Sequence, residues 1–319
     1  MMNKAEMVSF IILTYKKFDG IYDTLDSLFI QDYPCIELIV CDDGSPNYDD
    51  EIDKIKDYID VHKKSNIVNV RFQHNMPNMG TVQNANVAYR MAEGKYIKDL
   101  GADDELNGVD AISKYVRFIE ENNAYICFSK LQGIDDCGNV IKSLESCVDN
   151  YDEVRNMTPI ETRNKLFARN FLPAPAWFAK KELFEKYGYY LDVTRLIEDY
   201  PYWIHLCTEG VEFKYMDDVL INYKMTGVSS AGSYGVAFME DMFNIYDKCI
   251  FPYDKRYGFA QPLYNFLKKM GLNAYNAKAY WDTYGIGKKL LAYIKYGVFF
   301  AYIKLGNYKN RKKNIKNAD

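Results

Sequence analysis

Histidine is scarce in this 319-residue chain: there are three, His62, His74 and His205. None stands in an HExxH or comparable spacing, so a zinc enzyme is not expected. The seven cysteines, Cys35, Cys41, Cys127, Cys137, Cys147, Cys207 and Cys249, are odd in number, scattered and never spaced CxxC. That pattern reads as reduced, structural thiol in a cytosolic protein. Positive charge is not in excess either, the formal net charge being -4. A general nucleic-acid binder needs a basic face for phosphates, so nucleic acid is not an expected partner. No apolar run approaches the ~20 residues of a membrane-spanning helix. The opening MMNKAEMVSFIIL sets one Lys before a six-residue apolar run, too short for a signal-peptide core. Two phosphate loops are missing as well. GxGxxG would follow the first strand, where TYKKFDG stands, and neither EGKY nor GIGKK completes GxxxxGK[ST].

What is present is ordinary globular composition, 48% hydrophobic and 26% charged, with length for one large domain or two modest ones. The first hundred residues alternate two periodicities. VSFIIL (8–13) is a continuous β-rich apolar run, the mark of a strand buried on both faces. GIYDTLDSLFIQ places Ile21, Leu25, Leu28 and Phe29 at helical spacing, and IELIVCDDGS is a second buried strand. YDDEIDKIKDYIDVH predicts a helix with Ile52, Ile55 and Ile59 inward, followed by a strand in IVNVRFQ. A helix through NMGTVQNANVAYRMAEG, with Asn78 and Gly80 in its N-terminal turn, and a strand in KYIKDL complete the series. Such alternation predicts an α/β fold with a mostly parallel sheet flanked by helices.

Ligands of such sheets bind beyond the carboxyl ends of the strands. The first strand ends at Thr14-Tyr15, the second at Asp42-Asp43-Gly44-Ser45 and the fourth at Asp103-Asp104, so three polar clusters share one edge. Adjacent carboxylates repel, and either water screens Asp103 and Asp104 or a cation and polar groups hold them. With no phosphate loop, a diphosphate at this edge needs another counter-charge. Mg²⁺ or Mn²⁺ held by one or two carboxylates supplies it.

Val8-Ser9 through Thr14-Tyr15, CDDGS at 41–45, the series Asn78, Gly80, Asn86, then AEGKYI and ADDE, resemble in order and spacing the family 2 glycosyltransferases of the GT-A fold. Residues 7 to about 110 carry the resemblance. It implies inverting transfer of a sugar from a nucleotide-sugar donor, UDP-linked as a rule, with a divalent metal (Mn²⁺ or Mg²⁺) on the diphosphate. It also implies that Thr14, Tyr15 and Gly80 border the nucleotide, that Asp43 hydrogen-bonds the base, that Asp103 lies near ribose and donor sugar, and that Asp104 is the metal ligand. Without the resemblance, Thr14 caps a strand, Asp42 and Asp43 make an Asx turn, and Gly80 serves loop geometry.

The expected organisation is a catalytic domain over 1–225, with a nucleotide-sugar half (1–110) and an acceptor half (111–225), then a C-terminal helical region over 226–319. AYICFSKLQGIDDCGNVIKSLE reads as a β-hairpin. Further on, Glu198-Asp199 opens a helix through Trp203 and Leu206. By the resemblance Asp199 is the base that takes the acceptor's hydroxyl proton; otherwise it is an acid favoured by the helix dipole. Trp177 and Phe178 are candidates to stack on an acceptor sugar, or are core. Two departures stand out. Tyr223-Lys224-Met225-Thr226 lacks the His that many members carry after a late Tyr-Arg pair, and no QxxRW signature of processive synthases surrounds Trp203. One sugar per encounter is therefore expected.

From Gly285 onward Lys288, Lys289, Lys295, Lys304, Lys309, Arg311, Lys312, Lys313 and Lys316 face Asp319 alone. Together with the aromatic stretch LLAYIKYGVFFAYIKLG they suggest a tail that lies on an anionic membrane, or else a packed helix with a solvated basic end. The first option implies a lipid-linked or glycan acceptor, as in bacterial surface-polysaccharide assembly by similar enzymes, and a cytoplasmic protein peripheral on the inner face of the cell membrane. A sugar-nucleotide nucleotidyltransferase and a non-catalytic sugar-binding protein are the alternatives.

Overall fold

The apolar run near the N-terminus forms β1 (Val8–Thr14), all but one of whose residues are buried. This computed structural model describes residues 5–135, 138–141, 151–224, 241–242 and 244–254. After β1, α1 (Ile21–Phe29) buries Ile21, Leu25, Leu28 and Phe29, as their spacing predicts. β2 (Ile36–Asp42) is buried throughout, and α2 (Tyr48–His62) turns Ile52, Ile55 and Ile59 inward. β3 (Ile67–His74), α3 (Thr81–Met91) and β4 (Tyr96–Gly101) follow; α3 starts later than its sequence suggests, because Gly80 has φ 90° and so stays with Asn78 in the loop before the helix. β1 pairs in parallel with β2 and with β4, and β2 in parallel with β3. The register sets Thr14 beside Asp42, Asp42 beside His74, and Leu13 beside Gly101, so the polar strand ends fall on one edge.

The chain continues through β5 (Glu105–Leu106), α4 (Ala111–Glu121), β6 (Ile126–Ile134), α5 (Tyr151–Val154) and α6 (Pro159–Leu166). A 3-10 turn (Ala174–Ala176), β7 (Trp177–Lys180), α7 (Lys181–Tyr187), α8 (Asp199–Thr208), β8 (Lys214–Lys224) and a π turn (Tyr246–Ile250) complete it. Among the described residues the strands form one sheet in the order β3-β2-β1-β4-β7-β6-β8-β5. β7 runs antiparallel to both its neighbours and meets β4 at only two residue pairs, Tyr96 with Lys180 and Ile97 with Ala179. The expected parallel sheet is found in β1 to β4 and again in β6 and β8, while β7 and the two-residue β5 run antiparallel to their neighbours.

The hairpin expected after β6 is present in outline, since Ile134 bridges Val140 and Asn139 donates to Asp135; its second arm lies outside the described residues. The long partner of β6 is instead β8, in parallel. A strand buried on both faces needs ladder partners within the sheet, and β8 supplies them. Two apolar clusters cover the sheet's faces. Trp177 and Phe178, 1% and 0% exposed, belong to one each. Adjacent strand residues point to opposite faces, so both are core. The stacking of these rings on an acceptor sugar is thereby excluded. Ile245, Tyr246, Cys249 and Ile250 of the late segment join the cluster that holds α8. No helix among the described residues is long and apolar enough to cross a membrane.

Candidate active site

The donor edge begins where β1 stops. Buried Thr14 turns its hydroxyl onto the Lys17 carbonyl at 2.9 Å, and Lys16 takes a left-handed conformation with φ 61°. The Lys16 N–H then reaches the Ser45 hydroxyl at 2.7 Å, tying the ends of β1 and β2 together. Tyr15 is left 42% exposed beside this turn, free to face a ligand. Asp42 and Asp43 divide their labour. Asp42 makes the Asx turn, accepting from Ser45 N–H at 2.8 Å and meeting His74 Nδ1 at 2.8 Å. Asp43 accepts from Asn78 Nδ2 at 2.6 Å and from the N–H groups of Met79 and Gly80 at 2.8 Å each. Burial raises its carboxyl's affinity for protons, and these backbone donors pull it back down. A carboxylate offers about four lone-pair positions, so roughly one is left for a ligand.

Gly80 serves the same junction. Its φ is +90°, and a Cβ there would stand 2.4 Å from Arg195 Cγ and 2.6 Å from the Arg195 carbonyl. The loop before α8 therefore presses directly on it. Arg195 donates to the Asn78 carbonyl at 3.2 Å and to the Asn78 side chain, which in turn holds Asp43. The donor-side loop and the loop that leads to Asp199 are thus one hydrogen-bonded unit.

Asp103 and Asp104 converge because the chain turns between them and β4, with Asp104 N–H on the Gly101 carbonyl at 3.2 Å. A Cβ at Gly101 would stand 3.4 Å from Asp103 Oδ1 and 3.7 Å from Asp104 Oδ2. The missing side chain leaves a cradle that both carboxylates face. Hard, anionic oxygens beside open space suit Mg²⁺ or Mn²⁺, with a diphosphate completing the shell. Among the described residues no group of three or more His, Cys, Asp or Glu side chains could hold an ion unaided. The two aspartates are not equivalent. Asp104 is 5% exposed and accepts from the Lys224 N–H at 3.1 Å, whereas Asp103 is only half-buried. Burial, then the Asp103 charge, push the Asp104 carboxyl's proton affinity well up. Fully buried Lys98 answers that charge from β4, its ammonium on the carbonyls of Asp99 and, at 2.8 Å, Pro175. Burial pushes the ammonium down to about 8, while Asp99 and Asp104 hold it up.

On the side expected to hold the acceptor, Glu198 stands at the N-cap position of α8 without a side-chain capping bond, and Asp199 is the helix's first residue. Asp199 is 7% exposed; Oδ2 accepts from Asn170 Nδ2 at 2.8 Å and Oδ1 from Tyr200 N–H at 2.7 Å. Burial raises its pKa to about 6 against the pull of these donors. Glu198 is pushed well up by burial and by the Asp199 charge beside it. Asp241 fixes the approach to this pair, accepting from the N–H groups of Arg195, Leu196 and Ile197 at 2.9, 2.6 and 3.0 Å.

Sequence reasoning missed Asn170, Arg195, Asp241 and Lys98. A lysine in the middle of the apolar strand KYIKDL was a signal; the other three carry none, because their partners are 29 to 117 residues away. Lys224, standing where the family pattern has the Arg of its late Tyr-Arg pair, spends its ammonium on Asp23 and Glu105; Met225 and Thr226, where the histidine was looked for, and the basic tail lie outside the described residues.

A model of the family described as "Glycosyl transferase family 2" matches residues 9–188. An uncharacterised glycosyltransferase of Rickettsia felis is 32% identical over 139 residues, 44% of this chain and 21% of that protein. The UDP-Glc:alpha-D-GlcNAc-diphosphoundecaprenol beta-1,3-glucosyltransferase of Escherichia coli is 34% identical over 125 residues, 39% of this chain and 45% of that one. The chain thus spans less than half the length of these two curated relatives. The crystal structure of S. aureus TarS 1-349 with UDP-GlcNAc superposes with a TM-score of 0.55 and 19% identity, over 75% of this chain and 66% of that one.

Proposed function

This chain belongs to glycosyl transferase family 2, and from that premise we propose that it transfers a sugar, with inversion, from a UDP-sugar to a hydroxyl of a glycan or lipid-linked glycan, one sugar per encounter. The observation that carries the reading is Asp199, a buried carboxylate opening α8, held by two donors and with a pKa near 6. A general base works best when its pKa lies close to the operating pH. Asp199 takes the acceptor's proton as the oxygen attacks the anomeric carbon, the bond to the nucleoside diphosphate breaks, and the configuration inverts. The E. coli relative's name and the TarS complex support UDP and a lipid-diphosphate-linked acceptor.

Tyr15, Thr14 and the remaining acceptor position of Asp43 border the uridine, on a loop that Gly80 and Asn78 keep in place. Asp103 and Asp104 flank the diphosphate, and the half-buried Asp103 is the more accessible oxygen donor for a cation. When bound there, Mn²⁺ or Mg²⁺ neutralises charge growing on the leaving diphosphate. The basic tail brings the enzyme to the inner face of the cell membrane, where a lipid-linked acceptor resides.

The test is release of UDP from a panel of UDP-sugars, with Mn²⁺ and with EDTA, by the parent chain and by Asp199→Asn. Turnover that needs the cation and vanishes in the variant supports the reading. Tight binding without turnover of any donor, or pyrophosphate as the product, overturns it.

A further inference from the structure

Asp199 is the first residue of α8, and the Tyr200 N–H that meets Oδ1 belongs to the very next residue. A contact that local leaves the carboxylate free to turn about its last torsion, which for aspartate is broad. The second contact comes from elsewhere in the fold. Asn170 stands in the loop after α6, and its amide meets Oδ2 at 2.8 Å. The other end of that amide is occupied too, since Asn170 Oδ1 accepts from the Leu172 N–H at 3.2 Å. With its oxygen facing Leu172, the NH₂ group faces Asp199. Asn170 is a strut with both ends fixed.

The strut has firm footing. Phe171 and Leu172 beside it are each 2% exposed and sit in the same core as α8. The Tyr200 hydroxyl donates to the Leu166 carbonyl at 2.6 Å, pinning the end of α6 to the start of α8. The same loop runs on to Pro175, whose carbonyl holds Lys98.

We propose that Asn170 is the positioning residue of the catalytic base: its amide holds one oxygen of Asp199, so that the acceptor's proton is received at the lone pairs left free. The inference rests on the proposed role of Asp199 and adds a residue that the family resemblance did not single out. Asn170 also supplies a neutral donor to the ionised carboxylate, among neighbours that are mostly acidic. Glu198 of α8 lies next to it, Asp99 of β4 and Asp241 act on Glu198, and Tyr190 faces both carboxylates. Loss of the amide therefore makes Asp199 harder to ionise as well as less well aimed.

Two variants together separate positioning from architecture. Asn170→Leu removes the amide without adding charge, whereas the nearly isosteric Asn170→Asp keeps the oxygen that accepts from Leu172 and replaces the N–H that serves Asp199 with a second carboxyl, which repels Asp199 or shares a proton with it. The assay is UDP release from UDP-glucose or UDP-N-acetylglucosamine, whichever the parent turns over, with water as acceptor; UDP binding by calorimetry reports an intact donor site. For the apolar Asn170→Leu we expect kcat at neutral pH reduced at least tenfold, donor KM within twofold, and the acid limb of kcat moved upward by about one pH unit, the size expected for one charge-assisted hydrogen bond; in Asn170→Asp the added carboxyl moves the limb further up. Parent-like kcat and acid limb in Asn170→Leu that still binds UDP overturn the proposal. So does loss of UDP binding in both, which makes Asn170 a residue of the fold. Asp199→Asn runs alongside: if it retains activity, the failure belongs to the base assignment and not to Asn170.

Discussion

At the scale of the residue, Asp104 shows what a buried carboxylate at the sheet edge costs its fold. Its pKa is raised in the folded state, so it favours folding below the unfolded carboxyl value of about 3.9 and opposes it once pH rises through the folded value. Asp104→Asn keeps an acceptor for the Lys224 N–H and removes the charge, while Asp99 stays beside Lys98. We expect a Tm at pH 7 equal to or above the parent's, a gap that closes as pH is lowered, and loss of the Mn²⁺-dependent part of UDP binding. Thermal scans across pH and calorimetry check both halves. Gly80 makes the opposite case. An alanine there meets Arg195 within 2.6 Å in a backbone conformation that L-residues resist. Gly80→Ala should therefore cost about 2 kcal/mol, or about 3 °C in Tm for a chain of this size. At this scale the sequence showed which side chains crowd the sheet edge but not their division of work. Asp42 and Asp43 look alike in CDDGS, and only the fold sends one to Ser45 and His74 and the other to the 78–80 loop.

At the scale of the element, the first half of the sheet was legible because each strand and helix there obeys one period over its whole length. The helix read in YDDEIDKIKDYIDVH is α2 residue for residue. Beyond β4 the signal fades. β7 is four residues long and β5 two, too short for periodicity to register, and the partner of β6 lies far along the chain. The start of α8 was legible as an acidic helix opening, but its chemistry depends on Asn170 and burial. The sign of the resulting pH dependence follows from the base needing to be ionised. Below about pH 6, the Asp199 value, kcat should fall roughly tenfold per pH unit. A pH profile taken at saturating donor checks this, and a flat profile down to pH 5 sinks the base assignment.

At the scale of the whole molecule, charge is segregated. The chain is net acidic at -4, yet its last 35 residues are strongly basic. Each Lys or Arg held near an anionic leaflet is worth about 1 kcal/mol, so several together suffice for reversible docking. Co-sedimentation with anionic liposomes should be strong at low salt, weak at high salt, and lost in a chain ending near Trp281. Equal binding by the short and full chains would refute the membrane role.

The three backbone N–H groups that Asp241 gathers before α8 have a practical bearing on where this protein can be cut. Among the described residues the sheet's last strand closes at Lys224, and an experimenter seeking the smallest active unit would stop there. Such a chain keeps every residue assigned to donor, cation and proton, yet Arg195, Leu196 and Ile197 lose their shared acceptor. Each buried donor left without a partner costs about 1–3 kcal/mol, less where water reaches it. Expressed this way, the protein should bind UDP but turn it over poorly, and appending residues up to 254 should restore the rate. On this expectation the smallest active chain is longer than its sheet, and its end is set by a carboxylate spent on three backbone N–H groups.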